Sequence, residues 1–277
     1  MSNSEKRKSA IVTGASSGIG KEISRVLLEL GYEVYGFGRN FNDDEVIQVN
    51  GIKGQENTGQ NSQQRTLASD AGNTGDFYKI KGDLLDTRWL CNEVREISKN
   101  SQLEVLVNAA GVGYYGLHEQ LSVQQIQTLV RTNLEVPMIL TNRLLRVLKQ
   151  NRGYIINISS VTAKQSSPHG CAYGAVKAGL TGFGTSLFDE ARKYGVKVTT
   201  IHPDMTDTNL YRDADFTCSD EEESFLLASE VADAVHYVLS QREGVVVPDI
   251  TLRPQIHRLA RKASAQGGYV VRKKKEM

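Results

Sequence analysis

Residues 9–28 read SAIVTGASSGIGKEISRVLL. A strand-like apolar run ends at Thr13, and Gly14, Gly18 and Gly20 follow at spacings of four and two. A helical pattern begins at once, with Ile23, Val26, Leu27 and Leu30 on one face and Gly31 placed as its C-cap. Gly14 can take a tight turn, while Gly18 and Gly20 let a ligand approach the backbone where the helix starts. The first amide N–H groups of a helix and its positive end favour a phosphate. The spacing is not G-x-G-x-x-G, so the usual dinucleotide fingerprint is not met. The turn Gly14-Ala15-Ser16-Ser17-Gly18-Ile19-Gly20 is therefore a candidate pyrophosphate seat whose meaning depends on the rest of the chain.

Outward from this turn, β-branched runs recur between helical stretches. Strands are expected at SAIVT, EVYGFGR, DFYKIKGD, LEVLVNA, GYIINISS, VKVTTIH and GVVVPDI (244–250). Several are apolar on both faces, as strands covered by helices on both sides must be. The stretch 122–150, SVQQIQTLVRTNLEVPMILTNRLLRVLKQ, carries apolar residues at steps of three and four, and Pro137 is expected to bend that helix without ending it. Strands alternating with helices imply right-handed βαβ units and an α/β, doubly wound sheet of about seven parallel strands flanked by helices.

The 277 residues suit one domain with a large core, and a net charge of +1 points to neither nucleic acid nor a membrane surface as partner. The first ten residues are polar and charged, and no run approaches the length of a membrane span. Cys91, Cys171 and Cys218 lack C-x-x-C spacing, which favours free thiols and a cytoplasmic location. No His, Cys and Asp cluster has the spacing of a metal site, so no metal is expected.

One segment interrupts the alternation. Between Asn42 and Gly75, 20 of 34 residues are Gly, Asn, Gln, Ser or Thr, where a crossover helix belongs. Such a tract cannot repay ordering entropy, so residues 42–75 are expected to form a polar inserted loop. Residues 262–277 are strongly basic and are expected to be a solvated tail, an anionic partner being the weaker reading.

At the end of the second strand, where an acid would bond the ribose hydroxyls bound by an NAD enzyme, stands Arg39, 19 positions beyond Gly20. A guanidinium there can pair bidentately with a 2′-phosphate, which favours NADP(H) over NAD(H). Farther on, Tyr173 and Lys177 are four apart at the head of an apolar helix and share a face. Ser160 lies thirteen residues earlier, at a strand end. The C-terminal ends of strands are where a doubly wound fold places its ligands.

Taken together, TGASSGIG at 13–20, GDLLD at 82–86, NAAG at 108–111, Asn133, Ser160 and YGAVK at 173–177 make the chain resemble the short-chain dehydrogenase/reductase family over nearly its whole length. The resemblance implies a Rossmann-type domain, residues 1–277, with the substrate pocket in the same domain. It places Asp83 and Leu84 beside the adenine, has Asn108 hold the cofactor at the central strand, with Ala109 and Gly111 in the same motif, and puts Pro203, Thr206 and Thr208 by the nicotinamide carboxamide. Asn133, Ser160, Tyr173 and Lys177 fall on the family's catalytic tetrad. A tyrosine of ordinary pKa about 10 needs help to exchange protons near neutrality, and an ammonium on the same helix face would favour its phenolate. Ser160 would hold the substrate oxygen, Lys177 would also bond the nicotinamide ribose, and Asn133 would anchor a water that relays protons.

Two departures stand out. Pro203 is followed by Asp204 where the family has glycine, and the second asparagine of NNAG is Ala109. The substrate pocket is expected from GVGYYG (111–116), KQSSPHG (164–170) and a lid over 204–227, with Tyr114, Tyr115 and Phe216 as an apolar wall and His169 and Cys171 as pocket or core fillers. The ending EGVVVPDITLRPQ resembles members acting on small hydroxy acids, while a hydroxysteroid-like alcohol stays open. The implied partners are a small-molecule alcohol or ketone and further copies of the chain, as a homodimer or homotetramer. The competing reading is a catalytically silent dinucleotide-binding sensor or scaffold of the same fold.

Overall fold

The computed structural model describes residues 7–41, 65–66 and 75–262. The expected polar loop therefore lies outside the described residues except for positions 65, 66 and 75, and the basic tail does so beyond Lys262. The elements are β1 (Lys8–Thr13), α1 (Gly18–Glu29), β2 (Glu33–Gly38), β3 (Arg65–Thr66), β4 (Phe77–Lys81), α2 (Thr87–Asn100), β5 (Gln102–Asn108), α3 (Val123–Val130) and α4 (Val136–Asn151). They continue with β6 (Tyr154–Ile158), α5 (Cys171–Ala191), β7 (Lys197–Pro203), β8 (Phe216–Cys218), α6 (Ala228–Leu239), β9 (Asp249–Leu252) and β10 (Leu259–Arg261).

The main sheet has the order β3-β4-β2-β1-β5-β6-β7-β9. Seven of these strands run parallel, and the two-residue β3 pairs antiparallel at the edge. The order reverses between β1 and β5, so a crevice opens at their C-terminal ends, where this class of sheet binds ligands.

Alternation along the strands feeds two cores. Ala10 and Val12 of β1 join Val105 and Val107 of β5 under Ile23, Val26 and Leu27 of α1 and Val231 and Val235 of α6. Ile11 and Leu106 point the other way, against Leu90 of α2 and Leu140 and Leu144 of α4. Both faces are covered, and the strands are apolar on both sides for that reason. Each buried leucine contributes about 1.5–3 kcal/mol of transfer free energy.

Two local expectations change. Leu30 is 40% exposed and is the cap residue of α1. The helix has ended before it: Gly31 N–H bonds Leu28 O and Tyr32 N–H bonds Leu27 O, a Schellman closure with Gly31 at φ 83°. The last strand of the parallel sheet lies at 249–252 and not at 244–250. Val247 and Pro248 reach β7 only through single bonds, from Thr199 Oγ1 and Thr200 N–H to their carbonyls, and Pro248 has no N–H to continue a ladder.

Pro137 does not end its helix, as expected. It stands in the first turn of α4, and the helical run from Val123 to Asn151 passes through a π turn at Arg131–Glu135. Proline removes the N–H that an α pattern would deliver to the Asn133 carbonyl, and the wider turn absorbs the interruption.

Candidate active site

The glycine turn after β1 is held by Thr13. Its hydroxyl accepts the N–H groups of Ala109 and Ala110, each at 3.1 Å, and so ties β1 to the loop after β5. Gly14 sits at φ 71°, and a Cβ there would lie 2.8 Å from Ala110 Cα. A Cβ on Gly20 would fall 2.3 Å from the Gly14 carbonyl oxygen. Glycine at both places lets the turn close tightly against the neighbouring strand. The N-cap residue Ser17 makes no side-chain cap bond, and the first turn of α1 carries no acid. The helix thus presents N–H donors and its positive end with nothing negative competing, which fits an anionic group.

This turn opens into a cleft of about 690 Å³ at the sheet's switch point. Gly14, Ser16, Ser17, Gly18, Ile19, Gly20, Arg39, Asp83, Leu84, Ala109, Gly111, Pro203, Thr206 and Thr208 line it, together with Ser160, Tyr173 and Lys177. Arg39 is exposed at the rim, one residue past β2. Asp83 accepts the Leu85 N–H at 2.9 Å, which fixes the short turn that offers Leu84 to the cleft.

Two expected residues stand behind the wall. Asn108 is 2% exposed and donates to Asn157 Oδ1 at 2.8 Å across the β5–β6 pair. Its own Oδ1 has no partner. Asn133, on the π turn, accepts from Val112 N–H at 3.3 Å and donates to the carbonyls of Val112 and Leu129, each at 3.0 Å. Its side chain is occupied in holding the loop after β5. A Cβ on Gly111 would lie 3.0 Å from Asn133 Oδ1, so the loop packs directly on that amide.

Ser160 follows β6 and caps the short helix Val161–Ala163, accepting the Thr162 N–H at 3.2 Å. Tyr173 and Lys177 occupy the first two turns of α5, buried to 4% exposure each. Lys177 Nζ donates to the Ile158 carbonyl at 2.9 Å and stands 5.6 Å from the centre of the Tyr173 ring. Desolvation lowers the Lys177 pKa to about 8. Burial pushes Tyr173 well above the ordinary phenol value, against the opposing effect of hydrogen bonds with the Ser160 and Tyr115 hydroxyls. The resting tyrosine is therefore a protonated acid with the Ser160 and Tyr115 hydroxyls close to its own.

Beside it lies an aromatic cluster. The Tyr115 ring is 5.4 Å from that of Tyr173, 5.9 Å from Tyr211 and 5.1 Å from Phe216, centre to centre. Burial also raises the pKa values of Tyr115 and Tyr211. Tyr114 and Tyr211 line the cleft itself. Tyr211 is an addition to the expected wall; it follows a polar loop with no periodicity to announce it. His169 and Cys171 are exposed and do not line the cleft, so they fill neither pocket nor core. Cys171 is the first residue of α5, two residues ahead of the buried Tyr173.

The loop after β7 turns without glycine. Asp204 takes no positive φ; its Oδ1 accepts the Met205 N–H at 2.9 Å and its carbonyl accepts the Thr206 hydroxyl at 2.9 Å. Farther along, β8 pairs antiparallel with β10, and Lys262 Nζ bonds the carbonyls of Tyr211 and Arg212. Arg258 pairs with Glu221 on the same segment. Among the described residues no three His, Cys, Asp or Glu side chains gather as a metal site, and no helix is long and apolar enough to cross a membrane.

Comparison with known proteins agrees with this fold. A family model described as short chain dehydrogenase matches residues 55–217. An uncharacterized oxidoreductase of Staphylococcus epidermidis is 33% identical over 250 residues, spanning 90% of this chain and 98% of its own. One from Staphylococcus aureus is 30% identical over 253 residues, spanning 89% and 97%. Among solved structures, an alcohol dehydrogenase from Thermococcus sibiricus complexed with 5-hydroxy-NADP superposes with a TM-score of 0.73 at 22% identity, over 91% of this chain and 98% of that one. A metagenomic short-chain oxidoreductase in complex with NADP gives 0.69 at 25% identity, over 90% and 98%.

Proposed function

This chain belongs to the short-chain dehydrogenase family of oxidoreductases, and from that premise we propose that it moves a hydride between NADP(H) and a carbonyl or secondary alcohol, with Tyr173 as the acid and base. The observation that carries the reading is the meeting of the Ser160 and Tyr173 hydroxyls, with Lys177 one turn away, in the cleft into which α1 points its N-terminus.

The residues of the turn, Gly14 to Gly20, would hold the pyrophosphate on the N–H groups at the start of α1. Arg39 would pair with a 2′-phosphate, which supports NADP(H); the NADP-bound relatives point the same way. Asp83 and Leu84 would flank the adenine, and Ala109, Gly111, Pro203, Thr206 and Thr208 the nicotinamide side. Asn108, whose Oδ1 is unpartnered, would stiffen the central strand behind them. When bound, the cofactor supplies or accepts the hydride.

In the reducing direction Ser160 would hold the carbonyl oxygen while Tyr173 gives it a proton. Burial keeps that proton on the tyrosine until charge develops on the substrate oxygen. In the oxidising direction the Lys177 ammonium and the hydrogen bonds from Ser160 and Tyr115 favour the phenolate. Asn133 would serve the proton relay through its main-chain carbonyl, which Pro137 leaves without its α-helical donor. The segment 204–227 would close over the substrate, and Tyr114, Tyr115, Tyr211 and Phe216 would form the wall against it. Val130 and Met138, 41% and 43% exposed along the α3–α4 run, would pack on a second copy.

The test uses purified protein. Enhancement of NADPH fluorescence reports binding, and loss of NADPH absorbance reports turnover across carbonyl substrates that include keto acids and ketosteroids. Turnover in the wild type with loss in Tyr173→Phe is expected. Binding without turnover on any substrate would replace this reading with that of a dinucleotide sensor.

A further inference from the structure

His202 is the sixth residue of β7, fully buried, and plays no part in the chemistry above. Its Nδ1 lies 3.2 Å from the main-chain oxygen of Ser160 and its Nε2 lies 2.8 Å from Asp249 Oδ2. Lys164 Nζ approaches the other oxygen of Asp249 at 2.5 Å and the Thr251 hydroxyl at 3.0 Å. The backbone ladder between the two strands ends where Ser159 N–H bonds Ile201 O at 2.7 Å. At the next step a side chain takes over: the Ser160 carbonyl accepts the Ala163 N–H at 3.0 Å on one side and meets the His202 ring on the other.

Both groups that the ring faces only accept. A neutral imidazole has one N–H, so it holds one of them and turns a lone pair on the other; the doubly protonated ring holds both. We propose that His202 is a positioning residue for Ser160: its ring ties the Ser160 carbonyl to the Asp249 carboxylate, and its second proton tightens the seat from which the Ser160 hydroxyl meets the substrate oxygen. The proposal rests on the role given above to Ser160.

The charged groups that face the ring are Asp249 from β9 and Lys164 from the segment after Ser160; the next pair outward is Asp204 with Arg253, at 3.9 Å. Burial pulls His202 below the ordinary histidine value, Asp249 pulls it back up, and Lys164 pushes it down again. The second proton thus arrives below about pH 6.5, and the two neighbours move that point in opposite senses.

The experiment measures kcat against pH for NADPH and the best carbonyl substrate in the wild type, Asp249→Asn, Lys164→Met and Ser160→Ala. Asp249 and Lys164 are 45% and 38% exposed, so their variants fold. In parallel, 13C-labelled imidazole resonances are titrated in the NADPH-bound protein, with His202→Gln used for assignment. The wild-type kcat should rise roughly 5-fold as pH falls through the His202 transition, the factor that one ordinary hydrogen bond supplies. The transition should move to lower pH in Asp249→Asn and to higher pH in Lys164→Met, in both kcat and the resonance, with KM for NADPH unchanged. A purely structural histidine would leave the wild-type, Asp249→Asn and Lys164→Met profiles superimposable in shape. If Ser160→Ala is inactive and the Asp249 and Lys164 variants keep the wild-type profile, the inference falls while the proposed function stands. If Ser160→Ala turns over like the wild type, the assignment of Ser160 itself falls.

Discussion

The Lys177 ammonium stands 5.6 Å from the centre of the Tyr173 ring, on the same face of α5 and one turn along. Neither group touches bulk water appreciably, and each is perturbed by that burial in the direction of its neutral form. Replacing Tyr173 with phenylalanine removes the transferable proton and leaves the ring packing in place. Turnover should fall by at least about 100-fold, the usual worth of a positioned acid or base, while NADPH affinity from fluorescence titration stays within about 2-fold.

Lys177 makes a stability prediction with a definite sign. Its folded pKa of about 8 lies below the ordinary 10.5, so between these values the folded chain has released a proton that the unfolded chain keeps. Stability then rises with pH across that window, the burial cost of the ammonium being present in full below it. Urea unfolding of the ligand-free protein should show this rise relative to Lys177→Met, by a few kcal/mol at most, or roughly 2.5 pH units' worth. The absence of any difference in slope between the two would contradict it.

Tyr115 should act on Tyr173 through its hydroxyl. The hydrogen bond favours the Tyr173 phenolate, so Tyr115→Phe moves the tyrosine further up. In the oxidising direction the activity limb should shift to higher pH by roughly 0.5–1 unit, the equivalent of one hydrogen bond. An alcohol oxidation profile that does not move would show that the two hydroxyls are uncoupled.

Arg39 is the residue proposed to choose the dinucleotide. Arg39→Glu should weaken NADPH by about 10–100-fold and leave NADH equal or better, since the charge-assisted pair with a 2′-phosphate is lost. Equal affinities for both cofactors in the wild type and the variant would remove Arg39 from the site.

Gly14 is a stability position. Alanine there would need φ near 71° and would bring its Cβ 2.8 Å from Ala110 Cα. Gly14→Ala should cost about 2 kcal/mol or more and weaken the cofactor as well, read by thermal unfolding with and without NADPH.

The parts of the molecule that were legible in the sequence are those written in local signals. Runs such as IVT at 11–13 and VLVN at 105–108 are apolar on both faces because helices cover both, and glycine spacing marks the turn at Gly14. Tyr173 and Lys177 share a face because helices repeat every four residues. The strand at 249–252 was misplaced because GVVVPD is the more apolar stretch, yet Pro248 denies it a ladder. The π turn at Arg131–Glu135 has the same apolar period as an α-helix and is invisible without coordinates. His202 and Asp249 lie 47 residues apart, and Tyr115 and Phe216 meet across a hundred. No local pattern records such meetings; the topology makes them.

The small sheet of β8 and β10 has a consequence for exchange between relatives. Phe216, Thr217 and Cys218, which bring one ring of the aromatic cluster, are stitched to Leu259, Ala260 and Arg261 from the far side of β9. This loop transplanted alone would arrive as half a sheet, with its edge unpaired and its aromatic residue unseated. Any recombination that alters substrate choice here has two crossover points to satisfy at once, one on each side of α6 and β9. The two segments travel together, and the unit of swapping is the pair.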